Sequence, residues 1–549
     1  GTNMGIIRFF ESANPEYHTL NNKYATNQSF AVAASGDYRV ITGTFSGNIY
    51  LARETDSETG NPSLKGTYLD IFIPATFEQE EPILPKVVGG ECLYSTLNSN
   101  IAFMTTPYGG LFRIEEAEDD PEMFYNQRMI FGETNEAIYW KMGLDAANGP
   151  FITSFDLWET TNDPLSTDSA YIVAYVDFEA GDTITNVKSM NAFNQPLPNI
   201  ILEEDVAEND TIWYHDPYQS VLAVGLSGNI WITRMATNFN QTTTDEDWWG
   251  ILPADFLNVD DFDDPIAADE KVEKVVISPN GDHIYFATTE NKIGRASNIQ
   301  NARDMLTADA VNHDTTCIVE AYILEEYGNR EVTSLAVDPN NDENLIVTLG
   351  NFGNTDYIYY ANTAASDTLP DFVSKQGNLP QVPVYDAIFH YGGTDTVFVA
   401  TEYGVYGTSN FTSADPTWTD LTASEFANVP VYDLWQQTKD NNNRHISNHG
   451  YIYAATHGRG VFATDDLKGP VGIEEHDFAN NDKNPTKQII VYPNPASENL
   501  SFDIKSDRDS EVVVEIYSMS GQMVERKTYT SISAGKSSFN VDVSALQTG

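Results

Sequence analysis

Two copies of the string Val-Pro-Val-Tyr-Asp, at 382–386 and 429–433, begin 47 residues apart and set Asp386 and Asp433 at matching points of a repeat. Glycoside hydrolysis runs on such pairs: it needs two carboxyl groups about 5 to 10 Å apart, one with its pKa raised by burial. On equivalent inner strands of adjacent units, the two acids would face a shared central channel. Matching repeats equally generate matching structural acids that tie down a neighbouring loop, so both uses stand at this point. Calcium chemistry has its own candidates in Asp260-Asp261-Phe262-Asp263-Asp264 and Asp338-Pro339-Asn340-Asn341-Asp342, because closely spaced hard oxygen donors are what that ion takes. Asp260, Asp261, Asp263, Asp338 and Asp342 would be its ligands, with solvated turns as the alternative. Neither stretch has the glycine and distal glutamate of an EF-hand loop. The acidic run at 115–122 reads as a solvated loop. Aromatics beside acids, in Trp213-Tyr214-His215-Asp216 and Asp245-Glu246-Asp247-Trp248-Trp249, make Trp213, His215, Trp248 and Trp249 candidates for stacking on sugar rings, against packing between sheets. His457 and Arg459, in the tight turn of AATHGRGVF, read as turn residues. The sequence has no Ser/His/Asp order, zinc spacing or phosphate-cradling glycine loop.

These residues are carried by a repeat. A short β-branched strand, a Gly or Asn turn and a second apolar strand recur at 38–53, 101–114, 221–234, 284–297, 345–362, 397–410 and 452–465. The turn glycines Gly47, Gly110, Gly228, Gly353, Gly404 and Gly460 are mostly about 50 to 65 residues apart, the period of propellers and solenoids. One gap, from Gly110 to Gly228, is about double, and a divergent unit around 151–158 and 171–176 is expected to fill it. A further strand precedes several hairpins, as at 272–282, 332–342, 382–393 and 429–440. Four antiparallel strands per unit, separated by turns such as Pro279-Asn280-Gly281-Asp282, are the parts of a propeller blade. The spacing predicts an all-β chain: a β-propeller over 1–467 with seven to nine blades, eight being the central expectation, a Gly/Pro/Asn-rich linker at 468–486, and a small C-terminal β-sandwich at 487–549. The opening residues 1–9 resemble the same hairpin and enter that count.

The chain has 549 residues, 41% hydrophobic and 12% aromatic, a composition that excludes wholesale disorder. Against 29 Lys and Arg stand 81 Asp and Glu, a net charge of −52. Such a surface repels nucleic acid and anionic membranes, and it favours a saline or calcium-bearing medium. No apolar run is long enough to span a bilayer. Residues 1–10, GTNMGIIRFF, carry no leader, so a processed or truncated start is expected. Cys92 and Cys317 show no metal spacing; a disulfide and two buried thiols both remain open.

Two resemblances add to this reading. The strings AVDPNN, LIVTLG, YIYYAN and VPVYD with IYAATHGRGVF, over 272–466, resemble Asp-box propellers of the sialidase, sortilin and xyloglucan-hydrolase type. A complete Asp box is missing, and its nearest remnant is Ser413-Ala414-Asp415-Pro416-Thr417-Trp418. In that family the Asp holds a turn and the Trp packs between blades. At the other end, Tyr492-Pro493-Asn494-Pro495, the string from Ile516 to Gln522, and Gly535 before the strand at 541–546 resemble the type A sorting domain that Bacteroidota attach to type IX secretion cargo. The family continues past this last strand, so a truncated tail is expected at Gly549. The resemblance implies an extracellular or outer-membrane-surface protein. Its implied partners are the type IX translocon and shuttle barrel during export, then a surface glycan, a lipopolysaccharide anchor or another surface protein. Asp-Ser/Thr pairs at Ser169, Thr183, Thr211, Thr315, Thr368 and Thr396 resemble the O-glycosylation motif of the same bacteria. The function expected is a binding or scaffold module and not an enzyme. A xyloglucanase-like hydrolase and a subunit of the secretion or gliding apparatus are the alternatives.

Overall fold

The computed structural model describes residues 28–36, 39–44, 89–99, 101–114, 149–185, 187–192, 195–237, 247–252, 270–304, 318–422, 428–439 and 446–465. It also describes the strands at 7–9, 17–19, 49–53 and 67–71 and five strands between 489 and 542. Two compact units divide the chain, Gly1–Gly469 and Pro470–Gly549. In the first, seven antiparallel sheets of three or four strands follow one another among the described residues. Their first strands are Ser29–Ala34, Cys92–Tyr94, Phe155–Thr160, Val272–Ile277, Val332–Asp338, Val384–Phe389 and Val431–Gln436. The seven hairpin strings of the sequence form the middle of these sheets. They are apolar on both faces because each sheet lies between two others: every residue of Gln219–Gly225, Val397–Thr401 and Ile452–Thr456 is buried.

Buried side chains from each pair of neighbouring sheets make one core, from first with second round to sixth with seventh. The last core sets Val32, Ala34 and Val40 against Tyr451, Tyr453 and Val461, so the seventh sheet packs on the first and the row closes as a β-propeller. Polar contacts reinforce the closure: Ser447 N–H donates to Gly36 O at 2.7 Å, and Asn448 Nδ2 donates to Ser35 O at 2.8 Å. His457, expected to be a plain turn residue, belongs here as well, with its Nδ1 2.7 Å from the Tyr432 hydroxyl and its ring against Gln28. Close approach of backbones demands glycine at one junction, where a Cβ on Gly43 would lie 1.8 Å from Gly90 O.

The described residues hold seven such sheets, within the expected seven to nine and one fewer than the central expectation of eight. Ile7–Phe9 pairs only with Tyr17–Thr19, as a two-stranded sheet of its own. The long gap holds no extra blade among the described residues: Phe155–Thr160 is the first strand of the third sheet, and 171–176 belongs to an insertion. Thr160 pairs directly with Gln219, so the chain from 161 to 218 leaves and re-enters the sheet at one point. It forms an antiparallel ribbon in a single register, through Ser169 with His215, Phe178 with Val206, Thr183 with Ile201 and Lys188 with Pro196. The ribbon curls until its tip meets its root. Fully buried Asp216 accepts hydrogen bonds from the Ser189 hydroxyl and the Met190 N–H, both at 2.8 Å, while Asn191 Nδ2 donates to Asp168 and to Tyr218 O. Ala170, Ala174, Ile184, Leu202 and Ile212 fill the inside of the curl.

Trp418 of the Asp-box remnant packs in the core of the fifth and sixth sheets, its Nε1 donating to Lys375 O at 3.0 Å. Asp415 is exposed, and the nearby turn is held instead by Asp395, which accepts from the Thr412 N–H at 3.1 Å. In the second unit, Ile489–Tyr492, Asn499–Ser506 and Gly535–Asp542 form a three-stranded antiparallel sheet, and Ser510–Tyr517 pairs with Met523–Ile532. The expected linker at 468–486 lies outside the described residues. No helix among those residues is long and apolar enough to cross a membrane.

Candidate functional site

Five of the first strands share a β-bulge, at which the register skips Phe30, Glu273, Thr333, Tyr385 and Tyr432. A bulge inserts one residue and re-aims the next. The residues that follow are Ala31, Lys274, Ser334, Asp386 and Asp433, so the two VPVYD strings are a bulge and its acid. Lys274, from the fourth sheet, feels the charges of Glu91, Asp386 and Asp433 from the second, sixth and seventh, and pairs with Glu91 at 3.4 Å. Groups from non-adjacent sheets meet only at the axis of a ring, so these residues line its centre.

What the axial acids do there is tie sheet to sheet. Asp433 accepts the Val32 N–H at 2.6 Å, and Asp386 accepts the Leu434 N–H at 2.9 Å and the Ser334 hydroxyl at 2.6 Å. Glu91 takes the Phe155 N–H at 3.1 Å, and Asp156 takes the Ile277 N–H at 2.7 Å. Each carboxylate supplies an acceptor to the inner strand of the next blade, where an unmet N–H would cost about 1–3 kcal/mol. Asp386 and Asp433 are electrostatically coupled to each other. Burial, and for Asp433 the adjacent Asp386 charge, push both above the usual carboxylate range, as expected of two acids that share a proton. For Lys274, burial works against the cation, but Glu91, Asp386 and Asp433 outweigh it and hold its pKa high.

Burial raises Asp156 from 3.8 to about 6. A carboxyl whose folded pKa is raised adds stability below its unfolded pKa, and that contribution is lost as pH rises through the folded one. The window is therefore pH 4 to 6, and the shift corresponds to about 3 kcal/mol. Asp156→Asn keeps a carbonyl acceptor for Ile277 and removes the titration. Urea unfolding from pH 4 to 7 is expected to give the variant a flatter stability profile than the wild type; superimposable profiles would refute the buried, raised carboxyl.

The other sequence candidates separate by burial. Trp248 is fully buried among Phe103, Phe155 and Leu222, and Trp249 packs on the core of the third and fourth sheets, so the expectation that they stack on ligand is corrected to packing. At 338–342, the other calcium candidate, the carboxylates bind neighbouring groups of the protein. Asp338 is fully buried and its oxygens accept from Asn340 N, Asn344 Nδ2 and the Thr394 hydroxyl, while Asp342 accepts from Asn280 N. No metal-ligand grouping of three or more His, Cys, Asp or Glu occurs among the described residues. Asp260, Asp261, Asp263 and Thr315 lie outside them. Ser169, Thr183, Thr211 and Thr368 are exposed and Thr396 is half-buried. A crevice between Tyr94, Ser95, Trp435 and Gln437 encloses about 10 Å³, room for one water molecule.

Trp213 and His215, in contrast, are exposed on the outer face of the ribbon. Along its strands, even-numbered residues such as 170, 172, 212 and 214 turn toward the curl, and odd-numbered ones turn outward. The outward set contains Tyr171, Val173, Tyr175, Ile201 and Trp213, with Trp213 67% exposed and Tyr175 71%. Tyr171 and Trp213 face each other across the strands, ring centroids 5.3 Å apart and tilted by 48°. Isolated exposed apolar residues are ordinary, but here several share the outward set of one short ribbon. Sequence reading found Trp213 and His215 and missed Tyr171, Tyr175 and Ile201. The alternation of 169–176 was visible, but only the ribbon register shows it to be the partner of 209–215.

Comparison with known proteins bears on the second unit. Residues 490–549 match the secretion system C-terminal sorting domain. That tail marks the chain as type IX cargo, exported to the cell surface or the extracellular space, and implies that it engages the secretion system. No curated protein matches the chain in sequence. Among solved structures, Sqt1 of Saccharomyces cerevisiae is similar at a TM-score of 0.38 and 11% identity, over 80% of this chain and 97% of that one, too distant to support any argument. The sialidase-type variety of propeller finds no support in these matches.

Proposed function

We propose that this exported protein is a binding or scaffold module, in which the propeller supplies a rigid frame and the ribbon at 161–218 carries recognition. Its route would take it through the type IX translocon and shuttle barrel to a surface anchor or a neighbouring surface protein. The observation that carries the reading is the row of exposed Tyr171, Tyr175, Ile201 and Trp213 on an insertion that leaves the frame at one point. Loops and insertions on a rigid scaffold are where recognition concentrates. A hydrolase at the axis is disfavoured. Glycosidic carboxyls must be free to face a substrate, whereas Asp386 and Asp433 each accept a backbone N–H of a neighbouring blade, Leu434 and Val32.

The test replaces 161–218 in the full chain by Asn-Gly, which can join the paired Thr160 and Gln219 as a tight turn. Purified protein lacking the ribbon is expected to melt as a folded propeller and to lose rebinding to intact producer cells. Undiminished rebinding would refute recognition by the ribbon. Sugar release from a glycan panel that disappears in Asp386→Asn and Asp433→Asn would restore the hydrolase.

A further inference from the structure

The outer face of the ribbon has a second property besides its rings. Between 169 and 215, Asp177, Glu179, Asp182, Glu203, Glu204, Asp205, Glu208 and Asp210 are all exposed, and Lys188 is the one Lys or Arg in the segment. Asp177, Asp182 and Asp205 hold turns through the N–H groups of Glu208, Glu179 and Ala180. The remaining carboxylates are not needed for the fold of the ribbon in this way. By the parity of the ribbon, Asp177, Glu179, Glu203 and Asp205 belong to the same outward set as Tyr171, Val173, Tyr175 and Trp213 and follow the rings along the ribbon, on a face with almost no cation of its own.

We propose that this face docks a cationic polypeptide segment, one that presents Arg or Lys among aliphatic residues on a partner protein. This rests on the reading of the ribbon as the recognition element and names its partner chemistry. Three kinds of contact converge. Guanidinium or ammonium groups lie over the open faces of Tyr171, Tyr175 and Trp213, where the ring quadrupole attracts a cation. The outward carboxylates that follow the rings along the ribbon, Glu179 and Glu203 among them, take charge-assisted hydrogen bonds from further cations of the same segment, for which Arg has the better geometry. Val173, exposed between Tyr171 and Tyr175, takes the aliphatic stems of the same side chains, and Ile201, exposed farther along the ribbon opposite Thr183, extends the apolar track. Charge selects among the other occupants: polyanionic lipopolysaccharide or nucleic acid is repelled by these carboxylates and by the net charge of −52, and a neutral glycan can donate its hydroxyls to them but gains no charge pairing.

The experiment uses the full chain and a fluorescein-labelled peptide of alternating Arg and Val, followed by anisotropy at 50 and 300 mM salt. Saturable binding is expected, weakening at the higher salt because exposed charges are screened. Glu179→Gln/Glu203→Gln is expected to reduce the salt dependence, and Tyr171→Ala/Trp213→Ala to weaken binding about tenfold, the loss of two exposed cation–π contacts. These side chains are on the surface, so the variants are expected to melt like the wild type. A peptide of alternating Glu and Val and a neutral gluco-oligosaccharide serve as the competing probes. Oligosaccharide binding lost in Tyr171→Ala/Trp213→Ala, with no Arg peptide binding, would overturn the proposal in favour of a glycan platform and leave the ribbon as recognition element. If neither probe binds and cells still capture the protein without its ribbon, the functional reading fails as well.

Discussion

Removal of residues 490–549 is expected to abolish export: the shortened protein should be found inside the outer membrane, with signal in the medium and at the cell surface falling to background. The sorting-domain match lies wholly in the unit Pro470–Gly549, and the closed ring lies wholly in Gly1–Gly469. That removal leaves every core between propeller sheets intact, because among the described residues none of them uses one beyond Ala463. Retention of a protein that still melts cooperatively would thus report lost addressing and not misfolding. Immunoblots of periplasm, medium and protease-shaved intact cells make the measurement. Fusion of 490–549 to an unrelated periplasmic protein is the reciprocal arm, and undiminished release of the truncated chain would remove the tail as the export signal.

The largest expected effect on stability belongs to Trp248. Its side chain is fully buried between the second and third sheets, against Ile101, Phe103, Leu111, Phe155 and Leu226. Truncating a buried Trp to Ala removes its transfer free energy and leaves a cavity, about 3–5 kcal/mol. In a protein whose net stability is on the order of 5–15 kcal/mol, that is a large share. Trp248→Ala is expected to lower the urea midpoint by this amount, and Trp248→Phe by less, with rebinding to cells preserved at temperatures where the variant is folded. The opposite pattern, unchanged stability with lost binding, would return Trp248 to the ligand-contacting role that its neighbours Asp245, Glu246 and Asp247 suggest. Trp213→Ala is the mirror image, since that ring is 67% exposed and its removal should leave stability almost untouched.

Much of the frame could be read along the chain. The hairpin strings at 38–53, 101–114, 221–234, 284–297, 345–362, 397–410 and 452–465 are local objects, two strands and a turn, and local patterning specifies them. Their number matches the seven sheets, and the overcount came from 1–9 and 151–176, where a strand-like pattern serves other partners. The equivalence of Asp386 and Asp433 was equally visible as a repeated VPVYD. Their use was not, because a carboxyl becomes a sheet tie or a catalyst according to which donors surround it, and those donors come from Ser334, Leu434 and Val32 on three different blades.

The sequence by itself determined the repeat, the all-β class and the export address, since these rest on contacts between residues near in the chain or on a motif read in order. Only the tertiary structure decided which tryptophans are core and which are surface, that 161–218 is an excursion from the third sheet, and that the paired acids hold their neighbouring blades. Burial and carboxyl pKa depend on what is packed around a group from distant segments. Trp213 and Trp248 have equally acidic surroundings in the sequence and opposite environments in the fold.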